Sequence, residues 1–167
     1  MSAAIAPPSG LTDREAVCDA LIAYAQSLDE CSEALFRAST TKDMVLDLTP
    51  FNAWGHDYKV MDSQDIVNAA ILESVGKMPT SHHLSNFRVW LNGDCATYQC
   101  YVLAHHHGVV EQPRESPNNF YNVGGRYEGE VVKQGGKWLV KSVKITPWWI
   151  IGNVEVFKAR VESLVQG

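Results

Sequence analysis

Histidine is the residue type in this sequence with the clearest potential for chemistry. The chain has six histidines, and five of them fall in two short runs, 82–83 and 105–107. The unperturbed pKa of histidine lies closer to neutral pH than that of any other side chain, so histidine serves as a general acid, a general base or a metal ligand. The two runs therefore predict an acid–base or metal site, provided that the fold brings them together.

A predicted hairpin does bring them together. The pair Asn92-Gly93 separates two stretches with strand-like alternation, 81–91 and 95–107, and Asn-Gly is a strong signal for a tight β-hairpin turn. In an antiparallel hairpin closed there, residues near 82 lie opposite residues near 105. The sequence therefore predicts a histidine cluster at one end of a sheet.

Strand alternation allows only some of these histidines to face the interior. On a regular strand His83 shares a face with Val89, which favours His83 as the inward residue, whereas a β-bulge would reverse that choice. On the partner strand His105 and His107 point to one side and His106 to the other. Because these three residues alternate and no carboxylate or cysteine lies at ligand spacing, we expect no bound metal.

Asp29 is the candidate partner for one of the histidines. It follows a helical pattern in which Leu21, Ala25 and Leu28 recur at spacings of three and four residues. A carboxylate beside a buried helix face requires a polar partner, and an imidazole supplies one. Such a pair orients the imidazole and stabilises its charged form, as a general base requires.

Two kinds of element must position these residues. A capping box, Thr12-Asp13-Arg14-Glu15, begins the first helix, and Ser32 can cap a second, short one. Short strands are expected over 44–48 and 54–61, followed by a further helix that Asp62 or Ser63 can cap and that runs through Val75. These helices come before the long strands and would pack against one face of them.

From residue 81 onward the period of the apolar pattern changes from 3.6 to two. A second hairpin is expected over 121–133 and 137–145, then a closing segment with Pro147-Trp148-Trp149 and a final helix over 154–164. The pair Gly124-Gly125 inside a long strand predicts a bend that curls the sheet. Helices on one face of an antiparallel sheet are typical of the α+β class.

We therefore expect a cone-shaped α+β barrel in which a curved antiparallel sheet wraps around the N-terminal helices. Residues 1–10 are expected to form a flexible arm and residues 11–167 a single domain. A concave interior of this kind is a typical small-molecule site. The aromatic residues expected to shape it are Tyr24, Trp54, Tyr58, Tyr101, Phe120 and Trp148.

Composition argues against other classes of partner. The net charge is -5 and no basic cluster is present, which disfavours nucleic acid and anionic membrane surfaces. No apolar run is long enough to span a bilayer, and the first residues lack a signal-peptide pattern. Four cysteines without C-x-x-C spacing indicate reduced thiols, so we expect a cytoplasmic protein.

Two segments carry a recognisable pattern: residues 24–29 (YAQSLD), and residues 80–86 (TSHHLSN) followed by Val89 and Asn92-Gly93-Asp94. They resemble the first-helix signature and the histidine-bearing strand of SnoaL-like proteins, a family of the nuclear-transport-factor-2-like superfamily. Residues 124–128 and 138–140 resemble its last hairpin, and 148–153 its closing segment. The resemblance extends over residues 11–155.

The resemblance implies cofactor-free acid–base chemistry by an Asp–His pair. Family members include scytalone dehydratase, bile acid 7α-dehydratase, and isomerases or cyclases of secondary metabolism. By resemblance the aspartate falls on Asp29, its histidine on His82, and a second histidine of scytalone dehydratase on His105. Leu28 replaces a tyrosine of that enzyme, so Tyr24 and Tyr58 are candidates for a replacement phenol.

The leading hypothesis is a cofactor-independent lyase or isomerase, of the dehydratase type, that acts on a hydrophobic, oxygenated small molecule in a closed pocket. The alternatives are a non-catalytic ligand-binding or subunit-association domain and a polyketide-type cyclase, because one fold hosts many functions. Since the outer face of such a sheet often packs against a copy, we also expect a homodimer or homotrimer.

Overall fold

The structure is a computed structural model, and it describes residues 8–108 and 119–157. Two helices come first, α1 (Asp13–Asp29) and α2 (Glu33–Ser39). The strands are β1 (Thr40–Asp47), β2 (Thr80–Asn92), β3 (Cys95–His107), β4 (Phe120–Gln134) and β5 (Lys137–Gly152). Most of the expected arm and most of the expected final helix lie outside the described residues.

The strands form a five-stranded sheet in the order β1-β5-β4-β3-β2. The ladders from β5 to β2 are antiparallel, and β1 joins β5 in parallel. The predicted α+β class with two long hairpins is confirmed. Strand β5 runs on to Gly152, so Pro147-Trp148-Trp149 belongs to the sheet and not to a separate closing segment.

The expected strand over 54–61 is absent from the structure. Residues 49–54 form a 3₁₀ turn instead, with Pro50 in its first turn, and Gly55 (φ 90°) ends it in the left-handed region. The side chain of Asn52 then accepts a hydrogen bond from the Tyr58 amide (2.7 Å) and donates one to the Tyr58 carbonyl (3.0 Å). These local contacts satisfy the backbone as a loop, so only Met61 bridges to β1, at Leu46.

The predicted helix caps are present. Thr12 and Glu15 form the capping box of α1, Ser32 caps α2, and Ser63 caps a short third helix, α3 (Gln64–Val67). That helix does not continue to Val75 as one α-helix. It passes into a π turn over 68–72 and then a 3₁₀ turn over 75–77.

Helix α1 covers the concave face of the sheet. Its buried residues include Val17, Leu21, Tyr24 and Leu28, which belong to the same core as the inward side chains of β3 and β4. The guanidinium of Arg14 also donates to the Val89 carbonyl on the edge strand β2 (2.6 Å). This apolar packing and the contact to the edge strand fix the end of α1 close to the start of β2.

Two irregularities shape the sheet. The β2–β3 register shifts between Ser85 and Arg88, where Asn86 has a positive φ of 53°. The β4–β5 register shifts between Gly124 and Gly125, at the bend that the Gly-Gly pair predicts. A side chain at Gly124 would collide with the Trp149 ring, since a Cβ there would lie 2.2 Å from it.

In the part of the chain that the structure describes, no helix is both long enough and apolar enough to cross a membrane.

Candidate active site

Asp29 and His82 meet where the last residue of α1 reaches the third residue of β2. The Nδ1 atom of His82 lies 2.7 Å from Oδ1 of Asp29, and the His82 amide donates to Oδ2 at 2.9 Å. The hydroxyl of Thr80 donates to Oδ1 at 2.8 Å. Because β2 is an edge strand, its outer amide is free to bind this carboxylate.

This environment fixes the charge of the carboxylate. Burial alone would raise the pKa of Asp29, but the hydrogen bonds from His82 and Thr80 outweigh it and lower that pKa below its usual value. The carboxylate is therefore ionised at neutral pH and can only accept hydrogen bonds. It follows that Nδ1 of His82 carries the proton of this hydrogen bond and that Nε2 is the other ring nitrogen, on the side away from the carboxylate.

His106 provides a second imidazole beside the first. Its ring meets that of His82 edge to face, with centroids 5.3 Å apart. Nδ1 of His106 donates to the Tyr121 carbonyl at 2.8 Å, which leaves a lone pair on Nε2. Burial lowers the pKa of His106 to about 4, so this ring is neutral at pH 7.

The placement expected for His105 is wrong. Its ring contacts His83 at a centroid distance of 5.9 Å on the opposite, convex face of the sheet. Side chains alternate along β3, and the residues buried on its concave side include Val102, Ala104 and His106. The alternation of apolar residues along this strand was the signal that could have identified His106 from sequence.

The choice between His82 and His83 depends on the β2 bulge. His82 and Leu84 lie opposite the buried residues Ala104 and Val102, whereas His83 is exposed. The register shift after Ser85 restores Val89 to the same buried face. Simple parity therefore chose the wrong residue, and the assignment by resemblance placed the inward histidine correctly.

Two of the expected aromatic residues lie inside the molecule. Tyr24 is buried on α1, with its ring centroid 6.0 Å from that of Phe36. Tyr58 is half-buried in the loop after the first 3₁₀ turn and stacks on His56 with centroids 4.9 Å apart.

The other four expected pocket residues lie elsewhere, and the prediction is corrected for each. Tyr101 and Trp148 contact each other on the convex face, with ring centroids 4.8 Å apart, and both are exposed. Phe120 pairs with His107 in the β3–β4 ladder, so it projects to the face opposite the concave one. Trp54 ends the 3₁₀ turn with 47% of its surface exposed. Alternation places Tyr101 and Phe120 outside, and Trp148 is the extra residue at the register shift between β4 and β5. The loop geometry exposes Trp54.

Sequence reasoning also missed a contact between His56 and Tyr121. Nε2 of His56 lies 2.7 Å from the Tyr121 hydroxyl. Phe157 packs against both Tyr121 and His106, with centroid distances of 5.1 and 5.4 Å. A continuous set of aromatic rings thus connects the Asp29–His82 pair to the loop that carries His56.

An open cleft of about 420 Å³ lies beside the Asp29–His82 pair, between α1 and the edge strand β2. It is lined by Ile22, Ala25, Gln26, Asp29, His82, His83 and Leu84. The cleft is open to solvent, and 24% of the Asp29 side chain is exposed, compared with 4% for His82. Residues 8–108 and 119–157 contain no group of three potential metal ligands close enough to hold an ion.

The curved sheet and the covering helices define a protein of the nuclear-transport-factor-2-like fold. The family model for the SnoaL-like domain matches residues 9–144, so the chain belongs to the SnoaL-like family.

Known relatives agree with that assignment. The terrestric acid biosynthesis cluster protein E of Penicillium crustosum is 31% identical over 150 residues, which is 88% of this chain and 90% of the relative. The Kfla4162 protein of Kribbella flavida has a TM-score of 0.74 and 24% identity over 87% of this chain and 97% of its own. A putative scytalone dehydratase from Novosphingobium aromaticivorans has a TM-score of 0.66 and 21% identity, over 84% and 91%.

Proposed function

We propose that the protein is a cofactor-independent acid–base lyase or isomerase of the dehydratase type. Its substrate would be a hydrophobic, oxygenated small molecule. One observation carries the proposal: His82 is hydrogen-bonded through Nδ1 to an ionised carboxylate, at 2.7 Å, and is almost completely buried. That arrangement leaves Nε2 as the ring nitrogen that can act as a base, and it stabilises the imidazolium formed when Nε2 takes a proton.

The chemistry needs no group from outside the chain. Nε2 of His82 removes a proton from a carbon next to a carbonyl, and the electron pair moves to the carbonyl oxygen as an enolate. When the enolate collapses, the bond to a hydroxyl on the neighbouring carbon breaks, and His82 returns its proton to that oxygen as water departs. If the proton goes to another carbon instead, the same steps give a double-bond shift.

The uncharged ring of His106 supports the assignment of His82 as the base. A second positive charge beside an imidazolium would destabilise it, and burial keeps His106 uncharged at pH 7. The lone pair on its Nε2 can accept a hydrogen bond from a substrate hydroxyl. We therefore propose His106 for the supporting role that the resemblance implied for His105.

The relatives support the same class of reaction. One is named for a terrestric acid biosynthesis cluster, and one solved structure is named a putative scytalone dehydratase. A polyketide-type cyclase would use the same pair on a different substrate.

A non-catalytic binding domain is the second candidate, and the open cleft beside Asp29 favours it. A closed pocket, as the sequence analysis expected, would favour catalysis. The cleft beside Asp29 is open to solvent, which favours a binding role.

The test compares single variants of the interior pair with a matched variant on the convex face. Purified protein is incubated in D₂O with β-hydroxy ketones and hydroxylated aromatic ketones; mass spectrometry detects loss of water, and NMR detects deuterium at carbon. We expect His82→Ala and Asp29→Asn to lower turnover by about 10²- to 10⁴-fold, because positioned acid–base catalysis contributes that much.

His105→Ala is the control, since His105 lies on the convex face and does not line the cleft. It should retain wild-type turnover. Full activity in both His82→Ala and Asp29→Asn would exclude the proposed mechanism. Tight, unreactive binding of the same compounds by all variants would favour the binding role.

A further inference from the structure

Tyr121 and His56 form a second polar centre that the proposed mechanism does not use. The Tyr121 hydroxyl lies 2.7 Å from Nε2 of His56, and the two rings meet edge to face with centroids 5.9 Å apart. Tyr121 lies on β4, whereas His56 comes from the loop between the 3₁₀ turn and α3. The contact therefore joins two separate parts of the fold.

Tyr121 shares the concave face with the imidazoles. It pairs directly with His106 in the β3–β4 ladder, and residues directly opposite in a ladder project to the same face. The ring centroids of Tyr121 and His106 are 6.2 Å apart. Because His106 on β3 also contacts His82 on β2, the Tyr121 phenol lies on the same face as the Asp29–His82 pair, two strands further along the sheet.

Both members of this centre are neutral at pH 7. Burial raises the pKa of Tyr121 and lowers the pKa of His56. The Tyr121 hydroxyl can donate to Nε2 of His56 or accept from an Nε2–H, and in the second tautomer the phenol O–H is free to donate to another group. A chain of two hydrogen bonds in the same direction strengthens the second donor.

The other contacts of this loop restrict the orientation of the His56 ring. Asn52 binds both backbone groups of Tyr58, and the Tyr58 ring stacks on His56. Phe51 meets His56 edge to face at 5.7 Å. The His56 ring therefore cannot turn freely, and its Nε2 is directed at Tyr121.

We propose that the Tyr121 hydroxyl is the hydrogen-bond donor for a carbonyl or enolate oxygen of the substrate, with His56 as its positioning residue. This inference rests on the proposed function, in which removal of a proton beside a carbonyl places negative charge on that oxygen. A preorganised donor in a site sheltered from water stabilises such charge strongly. The substrate class is accordingly a molecule with a carbonyl oxygen and, on the side nearer His82, an acidic C–H bond.

A purely structural role would also keep His56 and Tyr121 together, as a tie between the loop and the sheet. The two roles differ in what a variant changes. Loss of a structural contact lowers the melting temperature without changing the affinity for an anionic ligand. Loss of a hydrogen-bond donor lowers that affinity selectively.

The experiment measures the binding of 4-nitrophenolate, which mimics an enolate oxygen, by its absorbance change and by calorimetry. Tyr121→Phe should weaken binding about 10- to 100-fold, the usual worth of a hydrogen bond to a charged group. His56→Leu should weaken it by several-fold, and His56→Gln, which keeps a donor near the Nε2 position, should restore most of that loss.

Tyr98→Phe is the matched control because the Tyr98 hydroxyl donates to the Ser142 carbonyl at 3.1 Å. It should lower the melting temperature and leave probe binding unchanged. Wild-type affinity in Tyr121→Phe, or no measurable binding of the probe to the wild-type protein, would overturn the inference. If Asp29→Asn and His82→Ala remain fully active while Tyr121→Phe still loses the probe, the proposed mechanism fails and the oxygen-binding role stands.

Discussion

Three histidines of the described chain differ in the partners of their ring nitrogens. His82 donates to a carboxylate, His106 donates to a backbone carbonyl, and His56 contacts a phenol. An anionic partner stabilises an imidazolium, whereas a neutral partner in a buried setting favours the uncharged ring. These partners, and not the residue type, are the reason that we propose His82 as the base.

The pKa of His106 leads to a prediction about stability. The unfolded chain binds a proton at this ring near its ordinary value of 6.5, and the folded chain does not bind it until about pH 4. Stability from this group is therefore complete above pH 6.5 and is lost as the pH falls toward 4. The loss should reach about 3 kcal/mol, since each pKa unit corresponds to about 1.4 kcal/mol.

Urea denaturation at several pH values checks this prediction. His106→Asn keeps a donor near the Nδ1 position but cannot titrate, so its free energy of unfolding should depend less on pH between 7 and 4 than that of the wild type. His105→Asn carries the same substitution on the convex face and should retain the wild-type slope. Equal slopes for wild type and His106→Asn would contradict the assigned environment.

At the scale of elements, the bulge in β2 decides which histidine faces the interior. Asn86 occupies the left-handed region, with φ 53°, and the register of β2 against β3 shifts around it. Asparagine tolerates this conformation better than other non-glycine residues. The bulge allows His82 and Val89 to face the core together, although their odd spacing would separate them on a regular strand.

Substitution of Asn86 tests this account. Because the side chain is exposed, the change acts mainly through the backbone. Asn86→Val should lower the free energy of unfolding by about 1–2 kcal/mol, the cost of placing a non-glycine residue in the left-handed region. Asn86→Gly should change it by less than about 1 kcal/mol. Urea denaturation of the two variants gives the comparison, and similar losses in both would contradict a backbone origin.

At the scale of the whole molecule, the two faces of the sheet differ in what covers them. The helices cover the concave face, whereas the convex face exposes the apolar residues Tyr101, Leu103, Trp148, Trp149 and Ile151. Among the described residues, Asn122 Oδ1 and Arg126 Nε on that face are buried and have no hydrogen-bond partner. Exposed apolar groups of this size are typical of association surfaces.

We propose that a second copy of the chain covers this face. It would bring the same apolar residues, and a two-fold arrangement could set the Arg126–Glu128 pair of one copy against that of the other. Trp148→Glu and Leu103→Glu should weaken association by about 10-fold or more, since buried aromatic and apolar anchors dominate such interfaces.

Sedimentation velocity or light scattering at several concentrations would measure this effect. Val60→Glu is the control, since Val60 is an exposed apolar residue in the loop before α3. That variant should keep the wild-type oligomeric state. A wild-type protein that is monomeric at tens of micromolar would exclude this role for the convex face.

Local sequence signals determined much of this molecule. The capping box at Thr12, the Ser32 and Ser63 caps, the Asn92-Gly93 hairpin and the Gly124-Gly125 bend all appear where the residues predict them. Each depends on the conformation of a few neighbouring residues, so the sequence is enough. The hairpin also predicted that the two histidine runs would meet.

Only the tertiary structure decided which histidines form the site. The β2 bulge exchanges the faces of His82 and His83, and the packing of β3 turns His106 inward and His105 outward. The His56–Tyr121 contact joins residues 65 positions apart through a loop that the sequence suggested was a strand. Strand facing and long-range contacts depend on the cumulative register of the whole sheet, and a shift of one residue reverses them.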